Sequence, residues 1–139
     1  MKKATSRINI LFVIISITSC LSKPSPVNCS AYKQGEFRYK FSLDGKLIFF
    51  SIKRDDSLQY EKNLNTEESA VYKITWVDSC TYELRYLKGN THSSQEELEM
   101  RKKAIITTNI IGGSEKFYLF KTSSSLNKIG LTDTIWVYH

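Results

Sequence analysis

The sequence feature that most constrains the fold is a strict alternation of apolar and charged side chains. The clearest case is the segment 36–41 (EFRYKF), which places three aromatic rings on one side of an extended chain and three charges on the other. A period of two is typical of an antiparallel strand with one buried face and one face in water. Asp44-Gly45 comes next and predicts a type I′ hairpin turn. The chain therefore begins its folded part as a β-hairpin.

The same pattern predicts seven or eight strands along the chain, and the short segment 58–61 is the optional one. Each is short, rich in aromatic and β-branched residues, and bounded by turn residues. The predicted strands cover residues 36–41, 46–53, 58–61, 70–77, 80–87, 104–111, 115–121 and 134–138. Further tight turns are predicted at Asp78-Ser79 and Gly112-Gly113. We expect an all-β fold in which an up-and-down antiparallel meander forms a small barrel or half-barrel, with a two-sheet β-sandwich as the alternative.

One charged segment, 94–103, interrupts the strand pattern. Ser94 and Glu97 fit a capping box, and the acidic residues come early and the basic residues late, which suits the helix macrodipole. Its two apolar residues, Leu98 and Met100, alternate as they would in a strand. A short helix is therefore one alternative here, and an extended strand or a loop are the others.

The N-terminus has the three parts of a secretory signal. Basic residues within 1–7 precede an apolar run at 8–17, and small residues then lead to Cys20. A transmembrane anchor is the less favoured alternative, because a spanning helix needs about 20 mostly apolar residues and this run has about ten. The stretch 17–20 (ITSC) resembles the lipobox of bacterial lipoproteins, which implies a diacylglycerol thioether on Cys20 and cleavage of the chain before it.

The organisation that follows is a signal peptide (1–19), a lipidated tether (20–28) and a single β domain (29–139). The tether contains both prolines of the chain together with Ser and Lys, a composition typical of a solvated linker. By resemblance to bacterial lipoprotein sorting, Leu21 after the lipidated cysteine implies the outer membrane. We therefore expect the domain to lie in the cell envelope, anchored through Cys20, with the leaflet left open.

The net charge of +6 does not indicate nucleic-acid binding. Without Lys2, Lys3 and Arg7 of the signal, the chain has 17 basic and 14 acidic residues, which is an ordinary charge balance for a protein surface. An exported, lipid-anchored domain also rarely meets nucleic acid, so no nucleic-acid partner is expected.

Two cysteines remain after Cys20, namely Cys29 and Cys80. Export to an oxidising compartment favours a disulfide between them. Two buried free thiols are the structural alternative. A catalytic thiol is less favoured, because no histidine lies near either cysteine in the sequence.

These residues together resemble a group of small predicted bacterial lipoproteins of unknown function. That group has an early Cys, then an Arg followed by Gln-x-Glu, then Trp-x-x-x-Cys-x-Tyr-x-Leu. Here the corresponding residues are Cys29, Arg54, Gln59-Tyr60-Glu61 and the stretch 76–84 (WVDSCTYEL). The resemblance covers about 29–87 and fades after that. It implies the Cys29–Cys80 pairing and a lipocalin-like β fold, and it carries no function.

Four residues are candidates for binding a ligand or partner: Arg54, Gln59, Glu61 and Trp76. A few polar groups beside an aromatic ring suit the orientation of a ligand at the mouth of a barrel. In the purely structural alternative, Arg54 and Glu61 pair across a hairpin and Trp76 lies in the core.

The sequence offers little for catalysis. His92 lies in a polar loop and His139 is the last residue, and neither has a metal-ligand neighbour at a useful spacing. The acidic pairs Asp55-Asp56 and Glu67-Glu68 are expected to be solvated rather than to work as acid and base. No catalytic residue, metal or cofactor is therefore predicted.

We expect a membrane-anchored, non-catalytic module that binds a small apolar ligand or an envelope protein. A hollow interior would support the ligand, and a filled core with an exposed aromatic patch would support the protein partner. The alternatives are an inhibitor or accessory factor of an envelope enzyme, marked by a rigid protruding loop such as 55–69, and an envelope hydrolase.

Overall fold

Eight antiparallel strands follow one another around a closed β-barrel. The computed structural model describes residues 27–127 and 130–139. The strands are β1 (Gly35–Leu43), β2 (Lys46–Arg54), β3 (Leu58–Asn63), β4 (Ser69–Trp76), β5 (Thr81–Asn90), β6 (Ile105–Gly113), β7 (Phe117–Ser124) and β8 (Leu131–Tyr138). The predicted signal peptide, Cys20 and the tether up to residue 26 lie outside the described residues.

Each strand pairs with the next one in the chain, and β1 closes the barrel against β8. The closing register runs from Glu36↔Tyr138 to Tyr39↔Ile135. The predicted antiparallel meander is therefore confirmed as a full barrel, and the sandwich alternative is wrong. Closure pairs the two edge strands that an open sheet would leave exposed.

Two of the predicted turns contrast with each other. Asp44 and Gly45 have φ angles of 49° and 75°, as a type I′ turn requires. The turn predicted at Gly112-Gly113 is wrong, because β6 continues to Gly113 and the chain turns at 114–116. A Cβ on Gly113 would lie 2.4 Å from the Tyr32 hydroxyl oxygen, so this glycine allows a close approach instead of a turn.

The charged segment folds as helix α1 (Gln95–Lys103). Ser94 Oγ accepts a hydrogen bond from Glu97 N at 3.2 Å, and Glu97 Oε2 accepts one from Ser94 N at 2.7 Å. The predicted capping box is therefore confirmed, and the strand and loop alternatives are wrong. No helix in the described part of the chain is long and apolar enough to span a membrane.

One end of the barrel is covered by the chain that enters it. A 3₁₀ helix, Cys29–Tyr32, buries both of its end residues against the barrel. The Tyr32 hydroxyl donates to Ser114 O at 2.7 Å, and Cys29 forms the predicted disulfide with Cys80. We call this the closed end. Helix α1 lies at the opposite end, which we call the mouth.

The disulfide yields a prediction about stability. Its two cysteines are 51 residues apart, and in the chain-entropy model a loop of that length stabilises a fold by about 4 kcal/mol, with about 2–4 kcal/mol usual in practice. We expect the C29S/C80S variant to lose about 2–4 kcal/mol of unfolding free energy, measured by urea denaturation. The reduced wild-type protein serves as the control and should match the variant. An unchanged free energy in both would contradict the prediction.

Candidate ligand cavity and the Arg54 cluster

The closed end of the barrel is built around one buried guanidinium. Arg54, the last residue of β2, is 2% exposed. Its Nε donates to Gln59 Oε1 at 2.5 Å, and its Nη1 donates to Tyr32 O at 3.0 Å. Its Nη2 donates to the hydroxyls of Tyr82 and Tyr118, both at 2.7 Å. We call Arg54 and these four partners the Arg54 cluster.

Aromatic faces also stabilise the buried charge. The guanidinium carbon lies 4.6 Å from the ring centre of Tyr82 and 4.9 Å from that of Phe37, within cation–π range. Burial opposes the charged form, but the oxygens of Tyr82 and Tyr118 and the Glu61 carboxylate outweigh it and raise the pKa of Arg54. Burial also raises the pKa of the Tyr118 hydroxyl well above its ordinary value. The cluster is therefore cationic at any physiological pH.

Glu61 is joined to the Arg54 cluster through Gln59. The Gln59 side chain accepts from Arg54 with Oε1 and donates from Nε2 to Glu61 Oε1 at 2.6 Å. Because Arg54 lies opposite Gln59 in the β2–β3 register, the direct Arg54–Glu61 pair of the structural alternative does not form. A line of hydrogen bonds instead runs from the closed end to Glu61.

Trp76, the fourth candidate, lies apart from this line. Its ring centre is 4.9 Å from that of Tyr82, and Lys33 Nζ lies 4.9 Å from the indole ring. Trp76 is half-buried at the closed end and does not line the interior space described next. The structure therefore brings together Arg54, Gln59 and Glu61 and places Trp76 on the far side of Tyr82.

Inside the barrel, on the mouth side of the Arg54 cluster, is a cavity of about 250 Å³. One wall is a run of aromatic rings: Tyr39 stacks on Phe41 at 5.7 Å, and Phe41 stacks on Phe50 at 6.0 Å. Ile106 and Ile135 are among the aliphatic residues that line it. A cavity of about 150 Å³ already binds benzene, so this space holds a molecule of one ring with a short chain.

The cavity also has polar groups. Gln59 and Glu61 line it, and burial raises the pKa of Glu61 in spite of the Gln59 hydrogen bond and the charge of Arg54. Burial, reinforced by the Glu61 carboxylate, also raises the pKa of Tyr72. Tyr39 donates to Asp133 Oδ2 at 3.0 Å. The interior is therefore apolar with one ionisable carboxyl group set into it.

A second space of about 300 Å³ continues toward the mouth. It shares four lining residues with the inner cavity, namely Phe41, Phe50, Glu61 and Tyr72. Glu68, Thr91 and Arg101 of α1 also line it. Glu61 therefore lies where the inner cavity meets the mouth.

The residues considered for catalysis have local roles. Asp55 Oδ1 accepts from the backbone N–H groups of Ser57 and Leu58, as in an Asx turn. Glu68 accepts from the backbone N–H of exposed His92, a hydrogen bond that lowers the pKa of Glu68. Within residues 27–127 and 130–139, no group of three or more His, Cys, Asp or Glu residues is placed to hold a metal ion.

The protruding loop expected at 55–69 is not present. Residues 58–63 form β3 and lie in the wall of the barrel, paired with β2 and β4. Apolar and polar residues alternate only weakly in this segment. Gln59 and Glu61 nevertheless point into the barrel, as the inward-facing residues of a wall strand do. The prediction of a protruding loop, on which the inhibitor alternative depended, is therefore wrong.

Sequence reasoning missed most of the lining. Tyr82 and Tyr118 hold the guanidinium, and Tyr39, Phe41 and Phe50 form the aromatic wall. The alternation placed these residues on the buried faces of their strands. It carried no sign that the faces enclose a space or that two of the hydroxyls meet at Arg54.

Comparisons with protein-family models, with curated proteins and with solved structures give no match to this chain. The resemblance to small predicted bacterial lipoproteins therefore stays a prediction, and only the cavity and the residues around it bear on function.

The Arg54 cluster yields a prediction about folding. In R54M a side chain of similar length replaces the guanidinium and leaves two buried hydroxyls, the Gln59 amide oxygen and the Tyr32 carbonyl without their donor. Breaking a buried charge network costs about 3–5 kcal/mol, so we expect a loss of that size in urea denaturation. R54K should recover only part of it, because an ammonium lacks the planar fork.

The matched control is Arg85, an exposed arginine on β5 whose Nη2 lies 3.4 Å from Glu83. R85M should change the unfolding free energy by no more than about 0.5 kcal/mol. Equal effects of R54M and R85M would show that the Arg54 cluster does not hold the closed end.

Proposed function

We propose that this protein is a lipid-anchored module of the cell envelope that binds a small, mainly apolar molecule inside its barrel. The observation that carries the proposal is the aromatic-lined cavity of about 250 Å³. A mostly apolar, concave site with a few fixed polar groups is the usual form of a small-molecule site. Gln59 and Glu61 supply those polar groups.

The polar groups near the cavity favour binding over catalysis. Gln59 is 2% exposed and has both amide atoms engaged, by Arg54 and Glu61. His92, which a hydrolase was expected to use, is exposed and does not line the inner cavity. Among the described residues that line the inner cavity, Glu61 has no second carboxylate and no histidine with which to share acid–base work.

The direction of the chain supports the proposed anchor. Val27 packs against the core beside Cys29 at the closed end, and Cys20 precedes it by seven residues. Seven residues reach at most about 25 Å. A lipid on Cys20 would therefore hold the closed end near the membrane, and the mouth would face the surrounding aqueous space.

The anchor is tested by labelling cells with radioactive palmitate. We expect the full chain to incorporate label and to fractionate with membranes, and C20S to do neither. Two acyl chains or more are needed for stable anchoring, so partial release of the wild-type protein by salt would count against a lipid anchor. C29S provides the control for the loss of a cysteine that is not lipidated.

The outer surface supports the second candidate function, binding of a protein partner. Phe49, Leu64 and Trp136 are each more than 40% exposed and line a shallow groove together with Arg38 and Lys40. Exposed aromatic patches beside basic residues are common at protein interfaces. Because the interior is hollow, the ligand remains the first candidate and this face the second.

The cavity is tested with n-propylbenzene, a neutral molecule of suitable size, by NMR titration of the purified chain. We expect shifts at the cavity residues and saturable binding. I106W replaces an aliphatic side chain that lines the cavity with a bulky indole ring, which takes up space the ligand would occupy. It should weaken binding at least about tenfold, which corresponds to about 1.4 kcal/mol. The control is L119W, because Leu119 is exposed on the outside of β7.

Thermal denaturation of both variants shows whether each still folds. Binding by wild type and L119W together with loss in folded I106W would support the cavity. If none of the three proteins binds, or if all bind equally, the ligand function is wrong and the surface around Trp136 becomes the first candidate.

A further inference from the structure

The carboxylate of Glu61 is short of partners for a group placed inside a barrel. Within the described residues it accepts one hydrogen bond, from Gln59 to Oε1. The ion pairs in that part of the chain are Lys62–Glu67, Arg85–Glu83 and Lys102–Glu99, and none involves Glu61. Glu61 is half-buried, and a carboxylate that is partly withdrawn from water gains stability from a paired cation. Oε2 is thus left for a group that enters the cavity.

The surroundings of Glu61 leave room for such a group. Across the sheet, Glu61 lies opposite Ile52 of β2 and Ala70 of β4. The methyl group of Ala70 fills little of the space beside Glu61. Both residues line the space that continues toward the mouth. A ligand atom can therefore approach the carboxylate from the mouth.

Aromatic rings flank the same position. Phe50 and Tyr72 lie two residues from Ile52 and Ala70 on the inward faces of β2 and β4, and both line the cavity with Glu61. Tyr39 and Phe41 extend this wall by stacking. The faces of such rings attract cations, and the attraction grows when water is excluded.

We propose that the ligand carries one ammonium group, which pairs with Glu61, on an apolar body that packs against the rings of Tyr39, Phe41 and Phe50. This inference rests on the proposed function, since it names the chemical class of the ligand in that cavity. A carboxylate ligand would place two negative groups together in a medium of low polarity, which disfavours it. A neutral ligand would leave Glu61 without a counter-charge.

Other charges near Glu61 do not replace the ligand. Arg54 is separated from it by the Gln59 side chain. Arg101 projects from α1 at the mouth, where it is exposed to water, and its charge lowers the pKa of Glu61 less than Gln59 and Arg54 do. Burial outweighs these favourable interactions, so the net shift of the Glu61 pKa is upward.

The experiment compares three probes of nearly equal size: 2-phenylethylamine, 2-phenylethanol and phenylacetate. Binding to the purified full chain is measured at pH 7.5 by NMR titration. A charge-assisted hydrogen bond contributes about 1.5–3 kcal/mol, so the amine should bind at least about tenfold more tightly than the alcohol. Phenylacetate should bind most weakly.

The variant E61Q keeps the shape of the side chain and removes its charge. We expect the preference for the amine over the alcohol to fall to about twofold or less in E61Q. E83Q is the matched control, because Glu83 lies on the outside of β5, and it should keep the full preference.

The outcomes separate this inference from the proposed function. If 2-phenylethanol and n-propylbenzene bind while the amine has no advantage, or if the advantage survives in E61Q, the ammonium class is wrong and the cavity still binds ligands. If none of the probes binds, the proposed function is wrong as well. If only phenylacetate binds, Arg101 rather than Glu61 selects the ligand.

The pH dependence gives a second readout on the wild-type protein alone. Amine affinity should fall as the pH drops through the raised pKa of Glu61, whereas alcohol affinity should not follow it. Among the described residues, the other charged or titratable groups that face this position are Tyr39 of β1, Arg54 of β2, Tyr72 of β4, Tyr82 of β5, Arg101 of α1 and Glu68 before β4 with His92 beside it. All of them remain in E61Q, which should lose the pH dependence.

Discussion

The rest of the structure depends on the burial of the Arg54 guanidinium at the closed end. A buried cation needs acceptors in several directions, and here they come from four parts of the chain: the entering segment, β3, β5 and β7. These strands lie on different sides of the barrel, so their spacing is fixed by hydrogen bonds of about 3 Å or less. The Cys29–Cys80 disulfide holds the entering segment over the same end. The Arg54 cluster therefore fixes the distance between strands on opposite sides of the barrel at its closed end.

The Arg54 cluster helps to explain why the barrel interior on its mouth side is open. An apolar core closes up because its side chains gain dispersion contacts as they approach. The Arg54 cluster fixes the strands at one end. The rings of Tyr39, Phe41 and Phe50 stack along one wall, and Tyr39 also packs edge-on against Phe120 of β7. Gln59 then extends the polar network upward and places Glu61 in the open space. The cavity and its one carboxyl group thus follow from the same buried charge.

Short-range sequence patterns predicted the strands, the first turn and the helix cap, which depend on interactions between neighbouring residues. Alternation predicted seven strands and left β3 as an option, and Asp44-Gly45 predicted its turn. Ser94 and Glu97 fitted the cap of a helix that was one of three alternatives. Each of these signals depends on residues close together in the sequence. Apart from the Cys29–Cys80 disulfide, which the predicted export favoured, the sequence did not predict contacts between distant residues. Tyr118 reaches Arg54 from 64 residues away, and Gly113 is required by Tyr32 rather than by a turn. The position of Trp76, which packs against the core at the closed end, could not be predicted for the same reason, since a ring in the sequence does not indicate which end of a barrel it occupies.

The Glu61 carboxyl group connects stability to binding. Its pKa in the folded protein lies above its ordinary value, so the native state holds this proton more tightly than the unfolded chain does. Its contribution to stability is therefore present at low pH and is lost as the pH rises through that raised pKa. A cation bound beside the ionised carboxylate reverses this loss, because it binds the native state alone. An empty barrel with ionised Glu61 is thus the less stable form, and the proposed ammonium ligand would stabilise the protein by pairing with that carboxylate.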